Sequence, residues 1–114
     1  MTLFEAAGEL GGQVVLAAKA TWRQGLAGIV RWLAAEMDRL GVRVRLNFLA
    51  EAGDLLEAAP DVIIIATGGI PELGHFAGRE LATSIWDVLA GQAEPGRSVL
   101  IHDESGSHAP LYCA

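Results

Sequence analysis

The chain has 114 residues, 52% of them hydrophobic and 19% charged, which suits one small packed domain and excludes a disordered chain. A net charge of −6 and a pI of about 4.9 repel phosphate backbones, so no nucleic-acid partner is expected. The longest apolar run, 62–66, cannot span a bilayer, and MTLFEAAGEL lacks the cationic start of a signal peptide; no membrane association is expected. Cys113 is the only cysteine, so no internal disulfide forms, and a cytoplasmic location is expected. The apolar content is slightly high for this size, which points to a surface that expects a partner or another domain.

A short strand over 2–5 (TLFE) starts at once, and Gly8, Gly11 and Gly12 then make a loop. Residues 14–20 are apolar without a period and remain unassigned. From 24 to 40 the pattern is helical. Leu26, Ile29, Val30, Leu33, Met37 and Leu40 recur at three- and four-residue steps on one face, and Gly41 is the stop. Residues 42–48 (VRVRLNF) alternate, with Val42, Val44, Leu46 and Phe48 facing one way and Arg43, Arg45 and Asn47 the other. This predicts a half-buried strand at a sheet edge. A short helix over 54–59 is stopped by Pro60. Residues 61–67 (DVIIIAT) are apolar and β-branched, the pattern of a strand covered on both faces at the centre of a parallel sheet. Residues 69–82 read as loop, and Thr83 or Ser84 caps a helix over 85–89. Residues 98–102 (SVLIH) form another apolar strand, and the chain closes at the start of a further helix.

Alternating strands and helices predict an α/β fold, a Rossmann-like parallel sheet. A sheet that begins on its first residue and stops just after a strand reads as incomplete, the first strand and its GxGxxG turn missing. The expectation is therefore a fragment that is inactive alone. The slot left by the missing strand is expected to be filled by 99–102 pairing beside 63–65, within the chain or in a strand-exchanged homodimer.

Glu5 ends the first strand. In dinucleotide-binding folds an acidic residue there accepts hydrogen bonds from ribose hydroxyls, roughly 20 residues after the phosphate turn; the ordinary alternative is a solvated glutamate. Gly11 and Gly12, followed by Gln13, allow backbone to approach a ligand. Thr67 and Gly68 close the apolar strand at its carboxyl end, where ligands of open α/β sheets bind. Other groupings carry less chemistry. His102, Asp103, Glu104 and His108 lack zinc-site spacing, so no metal is expected. Cys113 reads as a passive thiol, and Trp22, Trp32 and Trp86 as core or domain contacts. No catalytic residue is assigned.

The order FEAAGELGGQ, IVRWLAAEMDRLGV, PDVIIIATGG, SIWDVLAG, SVLIHDESG resembles the C-terminal nucleotide-binding region of one family. These are the NADH:flavin oxidoreductases related to 2,4-dienoyl-CoA reductase, trimethylamine dehydrogenase and N-methylproline-type demethylases. The resemblance covers nearly the whole chain. It implies a partial FAD- or ADP-binding domain over 1–96 and the start of a second nucleotide-binding fold over 97–114. FMN and an iron–sulfur cluster lie outside this chain in such proteins, in and beside a barrel domain that would be its partner in the parent polypeptide. Glu5 would hold the adenosine ribose, with Gly11, Gly12 and Gln13 beside the cofactor. Thr67 and Gly68 would lie near the pyrophosphate or flavin, and Ala50 would contact adenine through its main chain. The second turn departs from the family pattern. It reads Asp103-Glu104-Ser105-Gly106-Ser107, and its carboxylates would repel a pyrophosphate. A non-redox nucleotide-binding or assembly module, and a stand-alone α/β protein of unrelated function, remain the alternatives.

Overall fold

The computed structural model describes residues 1–103. The part of the second turn from Glu104 onward, His108, Cys113 and the expected closing helix lie outside the described residues. Strand β1 (Thr2–Phe4) pairs in parallel with β2 (Arg43–Arg45), with Thr2 opposite Arg43, Leu3 opposite Val44 and Phe4 opposite Arg45. Between them run α1 (Gln13–Ala17), a 3-10 turn (Thr21–Arg23) and α2 (Leu26–Arg39). After β2 come α3 (Ala52–Glu57) and α4 (Ile85–Ala90), so the parallel α/β arrangement holds in part. Helix α1 packs against both α2 and α4.

Helix α2 ends where the sequence predicts. Gly41 takes φ +66°, its N–H donates to the Asp38 carbonyl at 3.0 Å, and the Val42 N–H reaches back to the Met37 carbonyl at 2.9 Å. These paired bonds satisfy carbonyls that have no partner within the helix. In the last turn Arg39 pairs with Glu36 at 2.8 Å, which raises the guanidinium above its ordinary value. The Asp54 carboxylate starts α3 by accepting from the Glu51 N–H at 2.8 Å. Of the two cap candidates for α4, Ser84 serves: its hydroxyl accepts from the Trp86 N–H at 3.0 Å.

The face of α2 differs from expectation. Val30 lies against Gly11, but Ile29, Leu33 and Leu40 are 51%, 49% and 65% exposed. The inner stripe uses Ala27, Val30, Ala34 and Met37, which are half-buried at the same helical spacing. The apolar residues thus form two adjacent stripes, and only one is covered. Trp22 and Trp32 are exposed rather than core, while Trp86 is half-buried.

Two predicted strands are absent. Among the described residues the sheet has only β1 and β2, and neither 61–67 nor 98–102 is in a ladder. The pairing of 99–102 beside 63–65 within one chain is therefore overturned. The physical reason is the lack of a neighbour: an apolar run becomes a strand only when another strand satisfies its N–H and C=O groups. Ile64 and Ile65 are each 81% exposed, and Leu100 94%. Ala20 and Ser84 are the only buried residues among those described. The radius of gyration is 17.3 Å, against about 13 Å for a closed domain of this length. The hydrophobic layers are laid out but not closed.

Candidate functional site

The sheet continues past its last ladder pair and thereby fixes the turn that carries Glu5. The Glu5 N–H donates to the Arg45 carbonyl and the Phe48 N–H to the Glu5 carbonyl, each at 2.9 Å. The Asn47 N–H donates to the Ala7 carbonyl at 2.9 Å, so 5–7 and 45–48 are zipped together. The half-buried Glu5 turns its carboxylate back over this turn and accepts from the Ala7 N–H at 2.8 Å. One carboxylate face is engaged, and the remaining lone pairs stand at the carboxyl end of a parallel strand.

Gly11 and Gly12 lead into α1 at φ +115° and +47°, conformations that L side chains rarely adopt. A Cβ on Gly11 would lie 2.8 Å from side-chain atoms of Val15 and Val30, so the backbone is pressed against α2 there. A Cβ on Gly12 would meet open space. Gln13 is the first residue of α1, and its side-chain amide donates to the Gly69 carbonyl at 3.3 Å. Thr67 and Gly68 are thereby carried to the start of α1, with Gly68 at φ +72°. The structure so brings Gly11, Gly12, Gln13, Thr67 and Gly68 together, although 61–67 is not a strand. Glu5 stands at the end of β1. Ala50 lies half-buried between β2 and α3 and shares no hydrogen bond with the other site residues.

Sequence reading missed a cluster beside Glu5. The Arg45 guanidinium carbon lies 3.9 Å from the centroid of the Phe48 ring and 5.5 Å from that of Phe4, and the two rings are 5.2 Å apart. This overturns the placement of Arg45 and Phe48 on opposite faces. Asn47 takes φ +53°, which breaks the strand's two-residue period and returns Phe48 to the face of Phe4 and Arg45. The signal was the asparagine itself, a residue that tolerates the left-handed region.

Chemically, these residues offer one carboxylate acceptor, turns with accessible backbone and one primary amide. They suit holding a polar ligand with hydroxyl groups. No group of three or more His, Cys, Asp or Glu residues that could hold a metal occurs among the described residues. No helix among them is long and apolar enough to cross a membrane.

No family model matches the chain. It is 46% identical over 111 residues to the N,N-dimethylglycine/sarcosine dehydrogenase of Chromohalobacter salexigens, an alignment of 90% of this chain and 16% of that protein. It is 43% identical over 113 residues to a probable N-methylproline demethylase of Rhizobium meliloti, covering 98% of this chain and 17% of that one. With the multifunctional alkene reductase/demethylase OYE of Caballeronia cordobensis it shares 42% identity over 114 residues, 100% of this chain and 17% of the relative. A solved 2-naphthoyl-CoA reductase in complex with 2-naphthoyl-CoA matches 84% of this chain and 15% of its own, with a TM-score of 0.79 and 34% identity. The chain thus spans about one sixth of the length of the relatives it matches. By sequence and by fold the chain belongs to the family of these oxidoreductases, as the counterpart of one segment of them.

Proposed function

We propose that this chain is the part of a larger flavin-dependent oxidoreductase that holds FAD or ADP and assists electron transfer to or from an FMN-bearing barrel. The observation that carries the reading is the Glu5 carboxylate, fixed by Ala7 at the carboxyl end of a parallel strand in a segment homologous to oxidoreductases. Glu5 would accept hydrogen bonds from the ribose hydroxyls. The turns at Gly11–Gly12 and Thr67–Gly68, joined through Gln13, would flank the rest of the nucleotide, with Ala50 toward adenine. A bound flavin supplies the redox chemistry; these residues bind and orient it.

The remainder of the parent polypeptide is the proposed partner. The exposed apolar stripes at 62–65, at 99–101 and along Ile29, Leu33 and Leu40 are the surfaces it would cover. Within that polypeptide 1–96 would belong to the FAD- or ADP-binding domain and 97–114 to the start of the next nucleotide fold. The iron–sulfur cluster and the reacting site would lie outside this sequence, and the isolated chain would be inactive.

The test is a chimera in which this sequence replaces its 46%-identical counterpart in the Chromohalobacter salexigens dehydrogenase. Flavin absorbance of the purified chimera at the level of that dehydrogenase is expected. A folded chimera that has lost all flavin or adenine-nucleotide content relative to it would overturn the reading.

A further inference from the structure

The chain gains a residue where it runs on from β2 past Glu5. At the start of β2 the Arg43 N–H donates to the Met1 carbonyl at 3.1 Å. Bonds along one edge of a parallel pair recur every second residue on each strand, so the Glu5 carbonyl would meet the N–H of residue 47. It meets that of Phe48 instead, at 2.9 Å. Asn47 is therefore the extra residue of a bulge, accommodated by its left-handed φ of +53°. The N–H that the bulge frees has a use. It donates to the Ala7 carbonyl at 2.9 Å, while the Ala7 N–H donates to the Glu5 carboxylate at 2.8 Å. The Asn47 side chain closes on the same turn, since a Cβ on Gly8 would lie 3.2 Å from its Oδ1. In an unbulged ladder the N–H of residue 47 would go to the Glu5 carbonyl, and the Ala7 carbonyl would lose this donor.

We infer that Asn47 is a positioning residue: its bulge holds Ala7 by the carbonyl, and through the Ala7 N–H aims the Glu5 carboxylate. The consequence for binding rests on the reading that Glu5 receives ribose hydroxyls, since a carboxylate aimed beforehand need not be ordered at the moment of binding. The aim itself is a property of the chain and is measurable without any ligand. Asparagine suits the position because it tolerates the left-handed region, which a β-branched side chain does not.

The experiment is proton–nitrogen NMR of the full 114-residue chain as wild type, Asn47→Gly, Asn47→Val and Glu5→Gln. An amide proton bonded to a carboxylate shifts when that carboxyl ionises, so the Ala7 amide reports the aim of Glu5. The response is expected in the wild type and in Asn47→Gly, which keeps the left-handed φ, and is expected to be lost in Asn47→Val and Glu5→Gln. Hydrogen exchange of the Phe48 amide should be about five- to thirtyfold faster in Asn47→Val and near the wild-type rate in Asn47→Gly, with α2 amides unchanged in both. Asn47→Ala, a milder strain, gives the same comparison should α2 lose protection in Asn47→Val. A wild-type Ala7 response in Asn47→Val would overturn the inference, as would loss of the response in Asn47→Gly. The expected responses beside an ADP affinity that Glu5→Ala leaves unmoved in the chimera would remove Glu5 from the nucleotide site and leave Asn47 as the residue that aims it.

Discussion

The Ala7 main-chain N–H donates to the Glu5 carboxylate across 2.8 Å, so the acid is oriented by its own turn before any ligand arrives. Preorganisation of this kind lowers the ordering penalty of binding. In the chimera with the Chromohalobacter salexigens dehydrogenase, Glu5→Ala is expected to weaken ADP binding about tenfold, near 1.4 kcal/mol. That lies at the low end for hydrogen bonds to a charged group, as suits a half-buried side chain. Isothermal titration with unchanged affinity in Glu5→Ala would remove Glu5 from the site.

Gly11 and Gly53 make a matched pair of stability probes. Gly11→Ala places a methyl group 2.8 Å from Val15 and Val30 at φ +115°, and is expected to lower stability by roughly 2–4 kcal/mol. Gly53, within α3 and with nothing near its Cβ position, should gain roughly 0.5 kcal/mol as alanine. Urea unfolding midpoints check both signs. Equal effects would show that the backbone at Gly11 is not pressed on α2.

Arg45 stacks on Phe48 at 3.9 Å at an exposed site, so Arg45→Ala is expected to lower stability by about 0.5–1 kcal/mol. Arg45→Lys should recover part of it. Thermal unfolding at high salt should leave most of the loss in place if ring contact, rather than a distant charge, is responsible.

Ile64 is 81% exposed in an apolar run without a ladder partner. The free chain is expected to self-associate with concentration, and Ile64→Lys to reduce this in sedimentation velocity. The same substitution in the chimera should lower the yield of folded protein, because the segment would be covered there. Improved solubility in both settings would contradict the proposed covering.

Much of the fold is legible in the sequence where a signal is local. The period of 24–40 and the stop at Gly41 describe α2 to within a few residues, since helical hydrogen bonds are internal to the segment. Ser84 as a cap is equally local. Residues 61–67 and 98–102 carry strand composition but no strand forms, because a strand is a relation to a neighbour that composition does not supply. The exposed Ile29, Leu33 and Leu40 follow from the same gap: periodicity marks an apolar face, not what covers it. At the site, Glu5 and the paired glycines announce themselves by position at element ends. The Gln13–Gly69 contact spans 56 residues and has no sequence signature, and the Arg45 cluster arises from one left-handed residue, Asn47.

A crystal structure of the chimera with ADP would decide whether this segment holds an adenine nucleotide through Glu5. Both ribose hydroxyls are expected within hydrogen-bonding distance of the Glu5 carboxylate, roughly 2.6–3.2 Å, with the glycine turns at 11–12 and 67–69 beside the phosphates. ADP bound elsewhere, with the Glu5 carboxylate facing solvent, would contradict it.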